Sequence, residues 1–204
     1  GAAYVAGYTR SSQHSFPVAV GPYLVHSGGA PFVAKVNPGG TALEYCGYIG
    51  SSGGGWSTGI AVDAAGAAYV VGTTGSSESE GFPVIVGPNL TYNGETDTFV
   101  AKVSATGTQL LYCGYVGGAD TEQSYGIAVD GAGAAYVVGG TQSSEGEGFP
   151  TVLGPDLTYN GAEDNNYDAF VAKVKPDGTG LDYSGYIGGL EDESGQGIAV
   201  DAAG

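Results

Sequence analysis

The sequence predicts an all-β chain built from one repeated unit, and three observations carry that prediction. First, the phrase AAYV(A/V)G begins at Ala2, Ala67 and Ala134, while GIAVD(A/G)AG ends at Gly66, Gly133 and Gly204. Units of 65, 67 and 71 residues, dividing the chain at 1–66, 67–133 and 134–204, leave only Gly1 outside the repeat. Second, 40 of the 204 residues are glycine, spread within and between the apolar runs, and no run sustains a helical period. Third, each apolar run has the length of a strand, is rich in β-branched and aromatic residues, and is bounded by turn residues.

In the second unit the runs fall at 69–74, 98–103, 109–117 and 126–130. Four short strands per unit suggest the blade of a β-propeller. Two connections are tight: 63–66, 130–133 and 201–204 place Asp first and Gly last, as a type I turn prefers, and 37–40, 104–107 and 175–178 form the second turn. The other two connections are longer. The one at 76–97 carries GFPVIVGP, whose Gly and Pro argue against a regular helix.

If each GIAVD strand is the innermost of its blade, the chain starts on the second strand of one blade and ends on a lone first strand. Both are edges that seek partners. Three blades are also fewer than the four to eight that usually close a propeller. The expected assembly is head-to-tail, with Gly197, Ile198, Ala199 and Val200 of one chain completing the blade of Ala3, Tyr4 and Val5 in the next. Two chains close a six-bladed ring, and a rotation that does not close gives a filament. The alternative is a piece of a longer array, which the absence of Met also suggests.

Composition narrows the partners. Five Lys plus Arg oppose 21 Asp plus Glu, so the basic face that nucleic acid requires is missing. No apolar run approaches the length of a membrane span, and no leader pattern precedes the first unit. Fifteen of the 21 carboxylates lie in the long loops, all in units two and three. The alternation of strands puts these loops on one face, which is expected to be strongly acidic. The loops of unit one instead carry His14, His26 and Trp56.

An acidic loop face recruits hard cations such as Ca2+, which takes six to eight oxygen ligands. The densest candidate is Glu163, Asp164, Asn166 and Asp168, although Ala169 and Lys175 occupy positions where an EF-hand has Gly and Glu. A solvated acidic loop is the plain alternative. His14 and His26 lack a second ligand at zinc spacing and read as exposed loop histidines. Trp56 either stacks on a sugar or partner, or fills a gap between blades. Asn89 opens a glycosylation sequon whose counterpart in unit three is Asp156. Cys46 and Cys113 occupy equivalent positions, too far apart on adjacent blades for a disulfide, and are expected to be free buried thiols. Lys35, Lys102 and Lys173 recur within the third strand, where Asp63, Asp130 and Asp201 are candidate partners.

The ordered set AYVxGxT, Phe-Pro, DxFVAK, PxGTxLxY, GYIGG and GIAVD resembles the SBBP repeat, a β-propeller repeat of bacterial and archaeal extracellular proteins. The resemblance covers essentially the whole chain. It implies a propeller and an extracellular or cell-surface setting, and it carries over no catalytic residue. Unit one departs from the pattern, with Ala30 where the others have Asp97 and Asp168. No nucleophile elbow is present and neither Cys has an evident His or Asn partner. Paired carboxylates leave polysaccharide cleavage as the enzyme alternative. The expected function is a non-catalytic structural or adhesive module that partners itself; the alternative is a calcium-dependent or carbohydrate-binding, lectin-like module using the acidic face.

Overall fold

The computed structural model describes residues 1–26, 28–50, 54–161 and 166–201. Within them the chain is all-β, with three antiparallel sheets, none closed on itself. The first sheet is β1 (Ala3–Thr9), β2 (Ala30–Val36) and β3 (Leu43–Tyr48). The second runs in order β4 (Gly55–Val62), β5 (Ala68–Thr74), β6 (Asp97–Val103), β7 (Leu110–Val116). The third runs β8 (Glu122–Val129), β9 (Ala135–Thr141), β10 (Asp168–Val174), β11 (Leu181–Ile187). The second and third sheets therefore each take their first strand, β4 and β8, from the end of the preceding sequence unit, and the first sheet has three strands, all from unit one. The terminal segment 197–201, expected as a lone first strand, forms no strand within this chain, where no neighbour offers it a ladder.

The alternation of side chains explains why the central strands are buried throughout. On β5, Tyr69 and Val71 join a core with Ala135, Val137 and Phe170 of the third sheet. Ala68 and Val70 point the other way, into a core with Val33 and Tyr45 of the first. The second sheet is thus packed on both faces, which a strand reads as continuous rather than alternating hydrophobicity.

The predicted turns form as the chemistry requires. Gly66 N donates to Asp63 O at 3.0 Å and Gly133 N to Asp130 O at 3.1 Å, while Asp63 Oδ1 accepts from Ala65 N and Ala67 N. Both closing glycines have positive φ, the backbone region that glycine enters without steric penalty. The Phe-Pro motif anchors the long connections: Phe82 packs 5.4 Å from Phe99 and 5.2 Å from Tyr115, and Phe149 repeats this with Phe170 and Tyr186. Sequence reasoning missed the 3-10 turns Glu78–Glu80 and Glu145–Glu147, each closed by a capping box from Ser77 or Ser144.

Cys46 and Cys113 are free and buried, on the outer strands β3 and β7. Burial pushes both thiols above the ordinary cysteine range, Cys113 the further. Neither is expected to react with a thiol-specific disulfide reagent until urea unfolds the chain. Prompt stoichiometric modification of the folded protein would contradict this placement.

Candidate functional site

The strongest candidate is the outer side of β1. In the second and third sheets, the equivalent strands β5 and β9 lie between two neighbours, and every residue of both is buried. β1 pairs only with β2 among the described residues. Val5 is consequently 43% exposed and Tyr8 42%, whereas Val70, the counterpart of Val5, is 0% exposed. An edge of this kind presents unpaired N–H and C=O groups beside apolar side chains, and strand addition satisfies both.

The strand that covers β5 and β9 also completes a repeated polar contact. Asp63, at the end of β4, accepts from Tyr69 Oη at 3.1 Å and stands 4.0 Å from Lys102 Nζ. Asp130, after β8, accepts from Tyr136 Oη at 3.1 Å and lies 3.6 Å from Lys173 Nζ. Each lysine also lies over the tyrosine ring, at 4.7 and 4.8 Å. These are the Lys–Asp partners that the sequence suggested. In the first sheet, Lys35 instead pairs with Glu44 at 2.8 Å, and Tyr4 Oη donates to Gly66 O.

The terminal segment lies where a next first strand would begin. A methyl group added to Gly126 would stand 3.4 Å from Gly197 Cα and 3.5 Å from Ile198 N, much as one on Gly59 would stand 3.4 Å from Ile127 N. Segment 197–198 therefore neighbours β8 as β8 neighbours β4. Gly195 N donates to Gly139 O at 3.1 Å and helps hold the segment there.

The remaining sequence candidates separate. Glu163 and Asp164 lie outside the described residues, while Asp168 is buried on β10 and Asn166 precedes it. Among the described residues, no three His, Cys, Asp or Glu side chains gather as a metal site. His14 is exposed as expected. His26 is not: it is buried against Tyr48 at 4.3 Å, with Nε2 3.0 Å from Ser11 O. Trp56 stands on β4 opposite Thr73 and is 49% exposed, so it neither sits in a loop nor fills a gap. Asn89 Oδ1 accepts from Thr91 N at 3.0 Å, and Asp156 Oδ1 accepts from Thr158 N at 3.0 Å. The sequon asparagine thus shares a turn-closing role with an aspartate.

The acidic face also needs correction. Asp97, Glu122 and Asp168, counted among the loop carboxylates, are fully buried at strand starts. Burial pushes both Asp97 and Glu122 up to about 7, and the Glu122 charge adds to the rise at Asp97.

No described helix is long and apolar enough to cross a membrane. Compared with known proteins, the chain matches no family model and no curated protein.

Proposed function

We propose that this chain is a non-catalytic structural module that assembles head-to-tail, with residues 197–201 of one copy joining β1 of the next as the missing fourth strand. The observation that carries the proposal is the exposure of β1 where β5 and β9 are buried by strands with the same GIAVD sequence as the terminal segment. The register follows from the repeats. Val62 opposes Ala68, Ala61 opposes Tyr69, and Ile60 opposes Val70, so Val200, Ala199 and Ile198 would face Ala3, Tyr4 and Val5. Asp201 would then stand by Tyr4 and Lys35 as Asp63 stands by Tyr69 and Lys102.

A second match between the two ends supports this reading. Methyl groups on Gly107 and Gly178, each in the turn before an outer strand, would collide with the rings of Tyr45 and Tyr112 on the preceding sheet. The equivalent Gly40 has nothing within 4 Å. The equivalent Tyr183 lines an open apolar groove with Leu153, Pro155 and Val171. One end carries a turn without a seat and the other a seat without a turn, a heterologous pair of surfaces. Each sheet would then serve as a propeller blade, and repetition would give a ring or a filament. The resemblance to the SBBP repeat supports an extracellular or surface setting within the same proposal.

The test is mass by light scattering across a concentration series, for the full chain and for one lacking residues 197–204. We expect a dimer or a growing polymer that reverts to monomer on deletion. A full-length monomer at every concentration would overturn the proposal, as would an oligomer indifferent to the deletion.

A further inference from the structure

The second sheet meets the third at a pair of carboxylates with no counter-charge. Asp97 opens β6 and Glu122 opens β8, and both side chains are wholly buried. Asp97 Oδ2 accepts from Asn93 N at 3.2 Å, but its Oδ1 has no hydrogen-bond partner. Glu122 Oε2 accepts from Gly118 N at 2.8 Å and Oε1 from Thr141 Oγ1 at 2.6 Å. None of the described ion pairs reaches either acid. A buried anion without a partner is so costly that it takes up a proton or a cation.

The unpartnered oxygen points at other oxygens. A methyl group on Gly117 would stand 2.5 Å from Asp97 Oδ1 and 2.5 Å from Glu122 Oε2. One on Gly94 would collide with Asp120 O and stand 2.7 Å from Gly118 O and 3.1 Å from Asp97 Oδ1. Glycine at both positions leaves room around two carboxylates and two carbonyls, with no Lys, Arg or His among them. Hard oxygen donors of mixed carboxylate and carbonyl type suit calcium, whose flexible coordination tolerates such irregular sets better than magnesium's octahedron.

We propose that Asp97 and Glu122, with the carbonyls of Gly118 and Asp120, bind a calcium ion between the second and third sheets, and that Asp168 and Glu193 repeat the site one unit later. The repetition is an independent observation. Asp168 is buried, its Oδ1 also lacks a partner, and its Oδ2 accepts from Asn160 N at 2.9 Å. Glu193 Oε2 accepts from Gly189 N at 2.8 Å, as Glu122 does from Gly118 N. At the first junction, Ala30 and Gly55 take the two acid positions, so that junction has no such site. This pairing of acids across a junction differs from the contiguous 163–168 run that the sequence suggested.

Equilibrium dialysis of the full chain against CaCl2, with melting followed in CaCl2 and in chelator, tests the proposal. We expect saturable uptake and a melting temperature about 5 °C higher at calcium concentrations well above Kd. Asp97→Asn and Glu122→Gln, which keep side-chain shape, should each remove one equivalent and leave the Asp168 site loaded. If either variant fails to fold, the wild-type uptake and melting shift still decide. Absence of saturable uptake by the wild type would overturn the proposal, and so would undiminished stoichiometry in both folded variants.

Discussion

Replacing Gly139 with alanine is expected to lower the melting temperature by about 10 °C or more, a large loss of stability for a single methyl group. Gly139 lies on β9, between β8 and β10, where an added methyl would collide with Gln123 O and stand 2.6 Å from Phe170 Cε1. The carbonyl belongs to the backbone of a paired strand and cannot rotate away. Phe170 is itself fully buried, held 5.4 Å from Phe149. Relief therefore requires β8 and β9 to separate, which breaks their ladder. Overpacking usually costs about 1–3 kcal/mol, and a clash with fixed backbone lies at or beyond the top of that range. Circular dichroism melting checks the prediction, and an unchanged transition would mean that β8 does not lie against Gly139.

The same glycine logic shows what was legible in the sequence. Strand positions and tight turns could be read because a repeat presents each local signal three times: an Asp at the start and a Gly at the end of a turn need no tertiary context to act. The pairing of Lys102 with Asp63 and of Lys173 with Asp130 was also legible, because a recurring lysine in an apolar strand has few candidate partners. Burial of individual polar groups was not. Asp97 looks like a loop carboxylate until Thr74 is placed opposite it and the third sheet covers it. His26 looks exposed until Tyr48, 22 residues later, is found packed against its ring. These depend on contacts distant in sequence, and on glycines whose value is the space they leave rather than a conformation they adopt. The 3-10 turns at Ser77 and Ser144 escaped for another reason: one turn of three residues has no periodicity to detect, although the Ser-x-x-Glu spacing of its capping box was present.

Gly7 occupies the position of Gly139 and Gly72, yet its replacement with alanine is expected to spare the fold and weaken assembly. In the single chain a methyl on Gly7 would meet only the Phe32 ring, at 2.9 Å from Cε1 and 3.0 Å from Cζ. That ring can yield by a few tenths of an ångström, so the melting temperature should stay near the wild-type value. On Gly72 the methyl would collide with Trp56 O and on Gly139 with Gln123 O, both backbone atoms of the covering strand. A donated strand in the same register brings Ser194 O to that place beside Gly7. The alanine should then weaken association about 10- to 100-fold or more, the equivalent of about 1–3 kcal/mol of overpacking. Sedimentation velocity separates this from misfolding, since a folded Gly7→Ala monomer keeps its compact frictional shape. The variant still owns an intact terminal segment, whereas the chain lacking 197–204 still owns an intact β1. Mixing the two should restore a single contact and stop at a one-to-one dimer, because neither free end can add another copy. Retention of wild-type association by Gly7→Ala alone would show that no strand docks on β1 in the repeat's register.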